Sequence, residues 1–315
     1  MGLMASGGIM ALHPFMAGLV ETLKGLPSLS QGSPQDARAF IAAGRARLGK
    51  GPDLPGVEDL TIPGRSGPVG ARLYIPDSPS DGIIVFLHGG GWVVGALDDY
   101  DTYLRTLTQR TALHVLAVDY RLAPEHPFPA GLHDCEDVLG AVIAEKVAGL
   151  PGGPVVVMGD SAGANLATVC CARLPNPASV ALQVLYYPVT DHDFTRPSYA
   201  AHGAGLPLTA ADMAWFFGHY APASQWADPA ISPIRQPDLS RQRPAIVVTA
   251  EYDVLCDEGE AYADRLAQAG VAVIRRRILG VAHGFIRLHP LFDVADAELS
   301  AIAADIRRGL AGTTD

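Results

Sequence analysis

Pro154-Val-Val-Val-Met158 runs straight into Gly159-Asp-Ser-Ala-Gly163, which leads into Ala164-Asn-Leu-Ala-Thr-Val-Cys-Cys-Ala-Arg-Leu174. The first run is short, apolar and β-branched, which predicts a buried strand, and the last has the small and apolar residues of a helix. Flanking glycines allow a strand and a helix to approach closely around a sharp turn, and a serine on that turn exposes its hydroxyl. Glycine is frequent in this chain, so the Gly-x-Ser-x-Gly pattern alone is weak. Its position between a strand and a helix is what predicts Ser161 as a nucleophile.

The same alternation of apolar runs and helix-compatible stretches extends over most of the 315 residues. We predict strands at 57–62, 69–75, 83–87, 115–120, 155–158, 181–186, 245–250 and 271–278. We predict helices at 103–113, 135–147, 164–174, 258–268 and 296–310. Gly64-Arg-Ser-Gly-Pro68 separates the first two strands and predicts an antiparallel hairpin. Continuous apolar strands that alternate with helices indicate an α/β fold with a mostly parallel central sheet, flanked by helices on both faces.

Two segments stand outside this alternation. Residues 1–50 predict two helices, the second with Ser33 as its N-cap, and residues 190–228 are rich in aromatic side chains. We expect both segments to form a helical cap over the carboxyl edge of the sheet. Residues 51–189 and 229–315 then form one compact α/β core. The apolar stretch at 1–20 has no basic flank and contains Pro14, so we interpret it as an amphipathic surface helix, not as a signal peptide or membrane span.

Charge and cysteine content exclude several classes of protein. The formal net charge is −10 and the basic residues form no long cluster, which argues against binding to nucleic acid or to an anionic membrane surface. The four cysteines have neither metal-ligand spacing nor the density of a disulfide framework. We therefore expect free thiols in the cytoplasm, with no metal and no cofactor.

A serine hydroxyl needs a base to act as a nucleophile at neutral pH, and the base needs an orienting acid. Among the ten histidines, only His283 and His289 follow the last predicted strand, and His289 precedes a proline in the next segment. We therefore select His283 as the base. For the acid, Asp253 follows the strand 245–250, and Glu251 and Asp257 are its rivals.

His88-Gly-Gly-Gly-Trp92 directly follows the apolar strand at 83–87. Three successive glycines allow backbone N–H groups to turn toward a ligand without obstruction, as a developing oxyanion requires. The N–H group of Ala162, directly after the serine, is the expected partner donor.

With these motifs, the chain resembles the hormone-sensitive-lipase-like esterases, the bacterial family IV of the α/β-hydrolases. The segment Tyr120-Arg-Leu-Ala-Pro-Glu-His-Pro-Phe-Pro-Ala130 is typical of the same family and is expected to buttress the glycine-rich loop. Val254 departs from the family pattern, in which a proline follows the catalytic acid. The resemblance implies a triad of Ser161, Asp253 and His283, and an oxyanion hole formed by Gly90, Gly91 and Ala162, with Gly89 as a further candidate.

The resemblance also implies a serine carboxylesterase that hydrolyses short- to medium-chain esters through an acyl-enzyme. An amidase, a lactonase or another acyl-transfer enzyme with the same triad is the alternative, followed by a ligand-binding pseudoenzyme. The expected partner is a small-molecule ester, and the last strand, 271–278, is the expected edge of a homodimer. For the substrate pocket we select Trp92, Met213, Trp215, Phe216 and Phe285, although the aromatic residues of the cap can equally form its packed core.

Overall fold

An eight-stranded sheet forms the centre of the protein, whose computed structural model describes residues 11–311. The strand order is β1-β2-β4-β3-β5-β6-β7-β8. Strands β1, β2 and β4 are antiparallel neighbours, and every other neighbouring pair is parallel. The strands are β1 (Gly56–Gly64), β2 (Gly67–Ile75), β3 (Ile83–Leu87), β4 (His114–Asp119), β5 (Val155–Asp160), β6 (Val180–Tyr186), β7 (Ala245–Tyr252) and β8 (Val273–Ala282).

Helices cover both faces of this sheet. The helices are α1 (Pro14–Leu23), α2 (Pro34–Ala43), α3 (Arg45–Leu48), α4 (Leu97–Thr111), α5 (Ala130–Ile143), α6 (Ala162–Arg173), α7 (Pro197–His202), α8 (Ala210–Tyr220), α9 (Cys256–Gln268) and α10 (Asp293–Ala311). One apolar core contains side chains of α5, α6, α8 and α9, and a second contains side chains of α1, α4 and α10. Every residue of β3 and β5 is buried, which explains why β3 is apolar throughout, and β5 apolar up to Asp160, rather than alternating.

The α/β-hydrolase architecture predicted from the sequence is therefore present, together with the β1–β2 hairpin. The largest differences concern helix starts: α4 begins at Leu97 rather than at 103, and α5 begins at Ala130 rather than at 135. The first turn of α4 carries Asp98 and Asp99, which the helix dipole favours but which interrupt the apolar pattern that the prediction followed.

The N-terminal segment, residues 11–50, contains α1, α2 and α3. Ser33 caps α2 as predicted, because its hydroxyl accepts a hydrogen bond from the Asp36 N–H group at 3.2 Å. Pro14 does not interrupt a helix but opens α1, where its missing N–H group costs nothing. Residues 1–10 of the predicted surface helix lie outside the described residues.

The insertion, residues 190–228, contains α7 and α8 and lies between β6 and β7. It contacts the N-terminal segment, since the Ser30 N–H group donates to the Asp212 carboxylate at 2.8 Å. Within residues 11–311, no helix is both long enough and apolar enough to span a bilayer.

Candidate active site

Ser161 lies on the sharp turn between β5 and α6. Its backbone has φ 53° and ψ −120°, a strained conformation for a residue with a Cβ atom. The two flanking glycines are needed because a Cβ atom on Gly159 would lie 2.7 Å from the Leu87 carbonyl oxygen, and one on Gly163 would overlap the same peptide. The Ser161 N–H group donates to the Tyr186 carbonyl at 2.8 Å, which fixes the turn to β6.

The three side chains selected from the sequence form one hydrogen-bonded row. His283, in the loop after β8, has Nε2 3.0 Å from Ser161 Oγ and Nδ1 2.6 Å from Asp253 Oδ2. A neutral imidazole with its proton on Nδ1 can thus donate to the carboxylate and accept from the serine hydroxyl. The Tyr187 ring packs on the imidazole with centroids 4.5 Å apart, and this contact restricts rotation of the histidine.

The rival residues have other partners. Glu251 accepts from the Gly280 N–H group at 2.7 Å, and Asp257 accepts from the Ser198 N–H group at 2.8 Å. His289 is within 2.9 Å of the Thr106 hydroxyl, and burial lowers its pKa to about 4. Of the acids and histidines that remained open, only Asp253 and His283 therefore reach the serine row.

The insertion holds the loop that carries the acid. The Ser198 hydroxyl in α7 donates to the Val254 carbonyl at 2.6 Å, where the family pattern has a proline. Glu258, at the start of α9, accepts from the N–H groups of Thr190 and Asp191 at 2.7 and 3.2 Å. Burial raises the pKa of the Glu258 carboxyl to about 8, because the loss of water outweighs these two hydrogen bonds. The sequence reasoning missed this carboxyl.

The glycine loop, residues 88–94, turns sharply beside Ser161. Gly90, Gly91 and Trp92 have φ angles of 120°, 56° and 60°, so three successive residues occupy a region that disfavours side chains. Within residues 11–311, the N–H groups of Gly90, Gly91 and Ala162 donate to no acceptor. The Gly89 N–H group, by contrast, donates to Asp160 Oδ1 at 2.7 Å. The Gly89 N–H group is therefore already engaged with side chains behind the loop.

Asp160 is the second residue that sequence reasoning missed. Its carboxylate is buried, and besides the Gly89 N–H group it accepts from the Tyr100 hydroxyl at 3.0 Å. Burial raises the pKa of this carboxyl, while the hydrogen bonds act in the opposite direction. Asp160 thus ties the nucleophile strand to the glycine loop. A charged residue at the end of an otherwise apolar strand was the signal in the sequence.

The segment after β4 buttresses the glycine loop, as expected from the sequence. The Tyr120 hydroxyl donates to the His88 carbonyl at 2.7 Å, and the two rings stack with centroids 4.3 Å apart. The Ala123 N–H group donates to the Trp92 carbonyl at 2.9 Å.

Four of the five predicted pocket residues lie together. Met213, Trp215 and Phe216 belong to α8, and the Phe216 ring lies directly over Gly91. The Trp92 ring is buried and stacks on Tyr220 of the same helix with centroids 4.1 Å apart. Phe285 lies apart from this group, fully buried in the second core beneath Tyr187.

The four cysteines take no part in this site, and its acids and histidine form no metal-binding group. All four cysteines are buried and unbridged. In the part of the chain that the structure describes, no group of three or more histidine, cysteine, aspartate or glutamate residues is arranged to hold a metal ion.

Several known proteins are similar to this chain in sequence and architecture. A family model described as the alpha/beta hydrolase fold matches residues 84–287. An ethyl acetate hydrolase from Pseudomonas putida is 35% identical, over 96% of this chain and 100% of the relative. The carboxylic ester hydrolase LipN of Mycobacterium tuberculosis is 39% identical, over 81% of this chain and 70% of the relative. A hyperthermophilic esterase from the archaeon Pyrobaculum calidifontis superposes with a TM-score of 0.89 at 37% identity, over 95% of this chain and 99% of that chain. The chain therefore belongs to the α/β-hydrolases, in their hormone-sensitive-lipase-like family of esterases.

Proposed function

We propose that the protein is a serine carboxylesterase that hydrolyses short- to medium-chain carboxylic esters through an acyl-enzyme. The observation that carries this proposal is the hydrogen-bonded row of Ser161, His283 and Asp253, with distances of 3.0 and 2.6 Å, beside the glycine loop. A nucleophile, its base, an orienting acid and an oxyanion site are the parts that acyl transfer requires. The proteins similar to this chain include esterases and an ethyl acetate hydrolase, which supports the choice of esters.

In the acylation step, His283 Nε2 accepts the Ser161 proton while Oγ attacks the ester carbonyl carbon. The carbonyl oxygen becomes an oxyanion, which the N–H groups of Gly90, Gly91 and Ala162 stabilise. Asp253 stabilises the imidazolium that forms and keeps its orientation. His283 then transfers its proton to the departing alcohol, the tetrahedral intermediate collapses, and the acyl group remains on Ser161.

Deacylation repeats the same sequence with water. His283 accepts a proton from a water molecule as its oxygen attacks the acyl carbon, and the oxyanion forms in the same place. Collapse of this intermediate releases the carboxylic acid and returns the proton to Ser161. Each donor of an oxyanion hole contributes about 3 kcal/mol to transition-state stabilisation, so disturbing the glycine loop should lower kcat sharply.

The N-terminal segment and the insertion form, in this proposal, a cap over the substrate site. Support comes from Phe216 of α8, which lies over Gly91, and from the contact between Ser30 and Asp212. A ring at this position leaves little depth for an acyl chain, so we expect kcat/KM to decline for long-chain esters. A kcat/KM that rises steadily out to long acyl chains would contradict the short pocket.

The direct test of function is a panel of p-nitrophenyl esters of increasing acyl length, together with a matched anilide. We expect turnover of the short esters and much slower turnover of the anilide, since an amine departs less readily than an alcohol. The Ser161→Ala variant should fold normally and lose the activity. Equal turnover of ester and anilide would indicate an amidase, and an active Ser161→Ala variant would remove Ser161 from its role.

We further propose that β8 forms the interface of a homodimer. This strand lies at the edge of the sheet, and its residues Ile274 and Leu279 are 47% and 48% exposed. An exposed edge strand with apolar side chains offers main-chain hydrogen bonds to a second copy. Sedimentation velocity should give a dimer for the wild type and a monomer for Ile274→Glu.

A cytoplasmic location is also a proposal, and it rests on the four free cysteines. All of them are buried without a disulfide partner, which suits a reducing compartment. Fractionation of the producing cell tests the location: activity in the periplasmic or secreted fraction would contradict it.

A further inference from the structure

Arg38, on α2, reaches from the N-terminal segment to the backbone of the glycine loop. Its Nε donates to the Val93 carbonyl at 2.8 Å, and its Nη2 donates to the Ala123 carbonyl at 3.0 Å. The two segments are also joined directly, because the Ala123 N–H group donates to the Trp92 carbonyl. One side chain from outside the α/β core thus joins the glycine loop to the segment that buttresses it.

Glu125 fixes the direction of this guanidinium. Its two carboxylate oxygens accept from Arg38 Nη1 at 2.8 Å and from Nη2 at 2.6 Å, a bidentate pair. The guanidinium lowers the pKa of Glu125 to about 2, so the carboxylate stays charged at neutral pH. Because the planar fork has one orientation in such a pair, Nε is directed at the Val93 carbonyl.

Val93 closes the turn on which the oxyanion donors lie. The N–H groups of Val93 and Val94 donate to the Gly90 carbonyl at 3.0 and 2.9 Å. The turn that these hydrogen bonds close contains three successive residues with positive φ, a conformation that persists only where surrounding contacts impose it. The hydrogen bond from Arg38 to the Val93 carbonyl is one of those contacts, and it comes from the opposite end of the turn from Gly89 and Asp160.

We propose that Arg38 is a positioning residue for the oxyanion hole, acting through the Val93 and Ala123 carbonyls and oriented by Glu125. This inference rests on the proposed function, since it concerns the N–H groups of Gly90 and Gly91 in ester hydrolysis. Without the guanidinium, the glycine loop relaxes and its N–H groups no longer point at the developing oxyanion. These N–H groups bind the oxyanion of the transition state more strongly than the carbonyl oxygen of the bound substrate, so their misplacement lowers kcat more than it changes KM.

The test compares Arg38→Ala and Arg38→Lys with the wild type. Lysine keeps the charge but lacks the fork that reaches two carbonyls and a carboxylate together. For both variants we expect kcat to fall about tenfold or more with KM within about twofold, since a small misplacement of an oxyanion donor costs this much. The affinity for a trifluoromethyl ketone inhibitor, whose adduct places an oxyanion in the hole, should fall by a similar factor.

Arg65→Ala is the matched control. Arg65 also pairs with a carboxylate through two nitrogens, with Asp137 Oδ1 at 2.8 and 2.7 Å, but it lies on the β1–β2 hairpin, away from the glycine loop. This variant should lose comparable stability with unchanged kcat. Glu125→Gln should give a partial kcat defect, because Arg38 keeps its carbonyl acceptors but loses its orientation.

The outcomes separate this proposal from the proposed function. Unchanged kcat and inhibitor affinity in folded Arg38→Lys and Arg38→Ala would overturn the positioning role, as would equal loss of activity in Arg65→Ala. If Arg38→Ala does not fold, Arg38→Lys and Glu125→Gln decide the question. Failure of the wild type itself to hydrolyse any ester would instead overturn the proposed function.

Discussion

Replacing Gly91 with alanine should damage both the stability and the activity of this protein, through a contact between the glycine loop and the insertion. A Cβ atom on Gly91 lies 2.6 Å from Phe216 Cδ2 and closer still to Cγ and Cδ1 of the same ring. The residue also has φ 56°, a left-handed conformation in which a side chain is strained. The substitution therefore combines backbone strain with overlap of two packed elements.

The two costs can be estimated separately. A left-handed conformation costs an alanine about 1–2 kcal/mol. Moving a buried ring to relieve overlap costs about 1–3 kcal/mol. Together they predict a loss of roughly 2–5 kcal/mol in the free energy of unfolding. Because the loop must shift to make room, we also expect kcat to fall about 100-fold, the effect of losing one oxyanion donor.

Thermal unfolding and p-nitrophenyl acetate hydrolysis measure these effects, with two companion variants. Gly270→Ala is the control for backbone strain, since Gly270 has φ 84° and open space around the added methyl. In a Phe216→Ala background the overlap is gone, so Gly91→Ala should cost only the strain of about 1–2 kcal/mol. If Gly91→Ala costs no more than Gly270→Ala and retains kcat, the described contact between α8 and the glycine loop is refuted.

Two further predictions concern the buried carboxyls. Asp160→Asn leaves one acceptor oxygen where the Gly89 N–H group and the Tyr100 hydroxyl donate to two, so kcat should fall about tenfold. An unchanged kcat in stopped-flow ester hydrolysis would show that Asp160 does not hold the loop. Burial raises the pKa of Glu258 from 4.5 to about 8. Between these pH values the folded protein keeps a proton that the unfolded chain releases, so the free energy of unfolding falls as the pH rises. Denaturant titrations from pH 5 to 8 should show Glu258→Gln removing a slope of up to about 1.4 kcal/mol per pH unit, and parallel pH profiles of the two proteins would contradict the shift.

The central strands of the sheet were predictable because they are buried on both faces. β3, with Ile83 to Leu87, matches the predicted strand at both ends, since a short β-branched apolar run is typical of a strand buried on both faces. Helix α4 was predicted too short, because its first turn is held by electrostatics and tertiary contacts rather than by an apolar stripe. Arg45, for example, pairs with Asp99 at 2.6 Å across a long stretch of sequence.

The row of Ser161, His283 and Asp253 was predictable from position. In a parallel sheet, residues that directly follow strands meet at one edge, and each of the three follows a strand. Asp160 and Glu258 were missed because their roles depend on which N–H groups the fold brings to them. Arg38 could not be identified from the sequence for the same reason, because its acceptor in the glycine loop is a backbone carbonyl, which no sequence pattern indicates.

The central claim is that His283 activates Ser161 for attack on an acyl carbon. Reaction with diethyl p-nitrophenyl phosphate tests it most directly, since an activated serine displaces p-nitrophenol and becomes phosphorylated, and mass spectrometry of the digested protein locates the group. We predict one diethylphosphoryl group per chain, on Ser161, with esterase activity lost in proportion and with no labelling of His283→Ala over the same time. Full modification with esterase activity intact, or inactivation with Ser161 unmodified, would contradict the account.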